Sequence, residues 1–113
     1  MIGSLRGLLL ERIEESGRDE VLVDVAGVGY RVVVTPTTAL RLGEVGTEVF
    51  VHVHHHIREG DQTLYGFMER AERSCFEALL SAHGVGPSLA LAVLGVHGPV
   101  ELASGAPPLS VPI

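Results

Sequence analysis

The stretch with the clearest chemical potential is Leu80-Ser81-Ala82-His83-Gly84-Val85-Gly86-Pro87-Ser88-Leu89-Ala90. Two glycines flank one apolar residue, and small Ala90 follows four positions after the second glycine. Gly84 and Gly86 permit a tight turn and a close approach of backbone to a ligand. A helix begun at Pro87 would aim its free N–H groups and the positive end of its dipole at an anion. Val85 would plug the turn into the helix pair, and Ala90 would let the two helices approach. This is the helix-hairpin-helix pattern. A phosphate held at Gly84, Val85, Gly86 and Ser88 would give affinity for nucleic acid without base readout. The same residues would also serve as a plain helix–helix connector, and the motif alone does not choose between the two.

Other groupings offer less. His52, His54 and His56 alternate on one strand face, with His55 on the other. Residues two apart on a strand lie roughly 7 Å from one another, so three in a row are too strung out to close around one ion unaided. No metal is assigned. A histidine-dependent metal-binding protein stands as a rival reading, and the cluster predicts pH sensitivity near neutrality. Gly27-Val28-Gly29 lies between two strands and lacks a third glycine, so it is not a dinucleotide loop. The chain has no lysine and hence no Gly-Lys-Ser/Thr phosphate loop, which excludes a self-sufficient motor ATPase of that type. Ser74, Cys75 and His83 form no nucleophile motif, and Cys75 reads as core. No catalytic residue and no cofactor is assigned.

Composition sets the bounds. With 46 % apolar residues the 113-residue chain can pack a core, as one domain or one domain with a small helical appendage. Two Tyr, three Phe and no Trp cannot build a rich base-stacking platform. The formal net charge of −6 argues against nucleic acid, but total charge does not fix the sign of one face. All eight basic residues are Arg, suited to bidentate phosphate contacts. One cysteine and a charged segment soon after a short apolar start predict a soluble, cytoplasmic protein without membrane contact.

These features need elements to position them. Ile2 to Arg12 begins extended, and Glu20 to Val25 alternates, with Val21, Val23 and Val25 on one face. Ala26-Gly27 turns the chain into a second β-branched run from Val28 to Val34. Pro36 to Leu42 predicts a helical turn, Thr47 to Ile57 and Gln62 to Gly66 two further strands, with Arg58-Glu59-Gly60-Asp61 as a hairpin tip. Five strands with a helical insert before the last pair predict a closed barrel, with an OB-fold as leading candidate. Glu69 to Ala82 then carries an apolar helical stripe of Cys75, Phe76, Leu79 and Leu80. A second helix runs from Pro87 to a stop at Gly95, and Pro99 to Ala103 suggests a third. The expected class is α+β, mainly β at the N-terminus. The expected domains are a barrel over residues 1–67, a helical segment with one helix-hairpin-helix over 68–103, and a disordered tail over 104–113.

Met1-Ile2-Gly3-Ser4-Leu5-Arg6-Gly7, Gly27-Val28-Gly29-Tyr30, Leu64-Tyr65-Gly66-Phe67 and Gly84-Val85-Gly86-Pro87-Ser88-Leu89-Ala90 occur in this order. Together they resemble the RuvA family of Holliday-junction branch-migration proteins, over roughly Met1 to Leu94. The resemblance implies an OB-fold first domain and a second domain of two helix-hairpin-helix motifs. It also implies a homotetramer that holds a four-way DNA junction, a separate RuvB-like motor ATPase bound through a C-terminal domain, and a RuvC-like resolvase as further partner. It implies no catalysis by the chain itself. It further makes the hairpin tip a junction pin, with Glu59 and Asp61 repelling phosphates at the crossover and Arg58 flanking them. Gly60 stands where the family's second acid is expected. Arg6 is a weaker phosphate-contact candidate, and Ser88 replaces a lysine common in relatives. The chain stops before a second such motif and before a motor-binding domain, and from about Gly98 it departs from the family pattern. Motor coupling is therefore not expected of these residues, and a shortened fragment that folds without effective junction binding is the second rival.

Overall fold

A computed structural model describes residues 1–15, 17–82 and 84–96 of the chain. Five strands, β1 (Ser4–Glu15), β2 (Arg18–Val25), β3 (Val28–Val34), β4 (Glu48–Arg58) and β5 (Asp61–Phe67), close a barrel in the order β1-β2-β3-β5-β4. A short helix, α1 (Pro36–Arg41), joins β3 to β4, and two helices, α2 (Arg70–Ala82) and α3 (Pro87–Val96), follow the barrel. This is the expected OB-like barrel with a helical appendage. The expected third helix at Pro99 and the tail from Ser104 lie outside the described residues.

Closure depends on β1 serving two neighbours. Ser4 to Leu8 pair with β4, and Leu8 to Glu15 pair with β2, across an irregularity between Leu9 and Glu11. The strand must pass close to β2 where it changes partner, and a Cβ at Gly7 would run into the Asp24 carbonyl. The parallel pairing of β3 with β5, at Val32–Leu64 and Val33–Tyr65, completes the ring. The period-two alternation now has its cause. Val21 and Val23 join Leu5, Leu9, Val32, Val34, Val49, Val51 and Val53 in a sealed interior, closed by Ala39 and Leu42 around α1. Thr35 caps α1 by accepting from the Thr38 amide at 3.1 Å, with Pro36 at the first helical position.

A second core lies outside the barrel. Val33, Tyr65 and Phe67 face outward from β3 and β5 and meet Phe76 of α2 with Ala90 and Leu94 of α3. Phe76 is fully buried, its ring centroid 5.1 Å from those of both Tyr65 and Phe67. The sequence stripe Cys75, Phe76, Leu79, Leu80 is the face that packs here. Polar ties fix the same interface. Arg73 donates to the Gly3 carbonyl at 2.8 Å, and Glu72 returns to the Glu69 amide at 3.0 Å, as in a capping box. One boundary differs from the sequence reading: α3 runs through Gly95 to Val96 instead of stopping there. At Gly95 the helix lies against Thr35, 3.6 Å from where a Cβ would sit, an ordinary van der Waals distance.

The histidine strand contributes to this junction. His54 lies opposite Tyr65 on the outer face of β4, and its Nδ1 donates to the Glu77 carboxylate of α2 at 2.9 Å. Its Nε2 comes to 3.4 Å from His56 Nδ1. His52 instead packs edge-on against Phe50. His55 turns the other way, where its Nδ1 accepts from the Ile2 amide at 3.1 Å. Burial pushes His56 below the ordinary histidine value of 6.5, helped by His54 and Arg58 and partly offset by Asp61.

Two outcomes follow. Phe76→Ala should cost about 3–5 kcal/mol, because it empties the centre of the outer core, and a urea unfolding curve measures this directly. For His56 the folded state binds fewer protons than the unfolded chain, so its contribution is intact above about pH 6.5 and falls as pH drops through that value. His56→Gln should flatten part of the decline in urea midpoint between about pH 7 and pH 5.5.

Candidate nucleic-acid interface

The turn between α2 and α3 joins a left-handed glycine to the start of a helix. Gly84 adopts φ +65°, a left-handed conformation that a side chain disfavours. The Gly86 carbonyl accepts from the Ala90 amide at 3.0 Å, which makes Gly86 the residue that begins α3. Glycine brings no side-chain cap, and Pro87 has no N–H, so the Ser88 and Leu89 amides open the helix and, among the described residues, meet no side-chain acceptor. The first turn of α3 also holds no acidic side chain that would occupy its positive end. Gly84, Gly86 and Ser88 are exposed, whereas Val85 is half-buried against the outer core. Val85 is thus the plug of the turn and offers a ligand only its backbone. Ala90 is fully buried, as a close helix approach demands. Leu89 is an amide that the sequence reading left out. Its signal was its place two residues after a first-position proline.

At the end of the β4–β5 hairpin, Glu59 and Gly60 alone form the turn, and Arg58 pairs with Asp61 across the ladder. The four-residue tip read from sequence is therefore a two-residue one. Gly60 has φ +78°, a left-handed conformation at this second turn position that favours glycine. Glu59 stands at the apex and Asp61 one step down the strand, both exposed, with exposed Arg58 opposite.

Ser88 and Tyr65 line a common groove of about 640 Å³, and the far end of α3 lies by Thr35 and Phe67. Tyr65 is four strand residues from Asp61, roughly 13 Å. Arg6 is elsewhere. It stacks over Phe50 at 4.9 Å, and its partner Phe50 lies eight strand residues from Arg58, up to roughly 26 Å.

Charge is unevenly committed. Arg18 and Arg31 hold the buried carboxylate of Glu20, and Arg41 reaches Glu69. Among the described residues Arg6, Arg12, Arg58, Arg70 and Arg73 have no carboxylate within ion-pair distance. An acidic chain therefore still carries guanidinium groups that no described carboxylate neutralises, although Arg73 and Arg12 donate to the Gly3 and Ala39 carbonyls. Among the described residues no three His, Cys, Asp or Glu side chains converge as a metal centre, and no helix is long and apolar enough to cross a membrane.

Known proteins match this arrangement. Proteins named "Holliday junction branch migration complex subunit RuvA" are similar to the chain. The one from Shewanella halifaxensis is 47 % identical over 94 residues, covering 83 % of this chain and 44 % of the relative. That from Aeromonas salmonicida is 45 % identical over 94 residues, with the same coverage of 83 % and 44 %. That from Salinibacter ruber is 43 % identical over 102 residues, 90 % of this chain and 48 % of the relative. A span of 102 residues in a chain of 113 passes the Leu94 limit read from the motifs. The chain spans about half the length of the curated relatives it matches. The family model described as RuvA N terminal domain matches residues 1–66, which are the barrel almost to its last strand residue, so the chain belongs to the RuvA N-terminal domain family.

Proposed function

We propose that this chain is a structure-selective DNA-binding module for four-way junctions, acting as part of a RuvA-type branch-migration subunit and performing no chemistry itself. The observation that carries the reading is the start of α3 behind Gly84-Val85-Gly86, where glycine supplies no side-chain cap and the first turn holds no acidic side chain. In this reading the amides of Gly84, Val85, Gly86, Ser88 and Leu89 grip one backbone phosphate. Residues 1–67 act as the barrel domain and residues 68–103 as the helical domain that presents this turn.

The hairpin supplies selectivity. Glu59 and Asp61 repel phosphates and favour a site where strands separate, and Arg58 offers a counter-charge to a strand passing beside them. Arg6, distant from the hairpin, would contact an outlying phosphate or the neighbouring subunit. One phosphate site is weak, so useful affinity comes from repetition in a homotetramer, where each further contact is made at high effective concentration. The names of the relatives, which describe a subunit of a branch-migration complex, support assembly into such a complex; a cytoplasmic place of action belongs to the same reading.

The test is a competitive titration of a labelled four-way junction against linear duplex of equal length, at two salt concentrations. The reading predicts a junction preference that Glu59→Gln combined with Asp61→Asn narrows severalfold. Equal, salt-erased binding to both DNAs would contradict it and favour a folded fragment without junction recognition. In the same assay Ser88→Lys adds a cation beside the phosphate, so it should tighten binding and steepen the salt dependence by about one counterion.

A further inference from the structure

His54 and His56 sit two apart on β4, yet their rings do not stand at the spacing of their backbones. His54 Nε2 and His56 Nδ1 approach to 3.4 Å, and the ring planes are tilted by 38°. Two zinc ligands at about 2.0–2.1 Å in a tetrahedral site lie roughly 3.3–3.4 Å apart. The two nitrogens therefore already have the separation of one edge of such a site.

The surroundings fix which nitrogen is available. The Glu77 carboxylate can only accept, so His54 carries its hydrogen on Nδ1 and leaves the Nε2 lone pair facing His56. A carboxylate behind a histidine, setting its tautomer and raising its basicity, is the outer-shell arrangement of bound zinc. Both histidines are half-buried, and the ring of His54 is further held against Phe76 at 5.4 Å. His52, turned toward Phe50, takes no part.

We propose that His54 and His56 form a two-imidazole chelate for a borderline divalent transition ion such as Zn²⁺, oriented by Glu77 and completed by water. The charged groups around it are Glu77 from α2, Asp61 from β5 and Arg58 from β4. The two carboxylates favour a dication and the guanidinium opposes it. With two protein ligands the ion is exchangeable. It would add positive charge at the base of the acidic hairpin and strengthen the tie between β4 and α2.

The test is calorimetric titration of the tag-free 113-residue chain with Zn²⁺ alone, without DNA, so that its failure is separate from any failure of junction binding. One saturable site per chain is expected, with a rise in melting temperature on adding metal. His54→Ala and His56→Ala should each lower affinity by at least about tenfold, and Glu77→Gln by about tenfold. His52→Ala should leave it unchanged. Melting curves of the metal-free variants separate folding from binding, and His56→Gln serves if His56→Ala does not fold. Absence of a saturable site, an unaltered affinity in any of the three lowering variants, or an equal loss in His52→Ala overturns the proposal.

Discussion

Burial of Phe76 between the outer face of the barrel and α3 is the contact on which the remaining geometry depends. A closed barrel needs nothing on its outside, and most of its outer residues are polar or half-exposed. Val33, Tyr65 and Phe67 are the exception, and their apolar surface would face water without α2 and α3. Covering it with a ring that touches two other rings sets both the position and the rotation of α2. The turn that follows α2, and the start of α3 after it, are thereby held in one place on the flank of the barrel. A phosphate site made of backbone amides has no adaptable side chains, so it works only if that placement is rigid.

The same rigidity bears on how a chain of net charge −6 can handle DNA. Helix amides carry fixed partial positive charge that does not appear in a count of ionisable groups. The carboxylates nearest the barrel flank are partly committed elsewhere, Glu20 to Arg18 and Arg31, and Glu69 to Arg41. What remains exposed at the hairpin is Glu59 with Asp61, and the proposed function uses negative charge there to discriminate between DNA shapes. It thus assigns selectivity and grip to different elements, one a strand turn and the other a helix start.

Much of this was legible in the residues. Alternating valines located the strands because each inward position fills one interior, and β3 was read at its observed limits. The glycines of the α2–α3 turn were legible because helix stop and start signals have local causes. Tertiary contacts were not. Gly95 reads as a helix stop, yet α3 continues through it to Val96. The hairpin tip reads as four residues until the register pairs Arg58 with Asp61. The histidine strand reads as rings spaced with their backbones, because neither the ring tilt nor the bond to Glu77 from a helix 23 residues away follows from the strand itself.

The central claim is that backbone amides at the start of α3, together with the acidic hairpin, meet DNA. Two-dimensional amide NMR of the labelled chain, titrated with an unlabelled four-way junction, tests it most directly. The account predicts that the largest shifts fall on Gly84, Val85, Gly86, Ser88 and Leu89, with a second set from Arg58 to Asp61. Shifts confined to the Ala26-Gly27 turn or the α1 side of the barrel, with the α2–α3 turn unmoved, would contradict it.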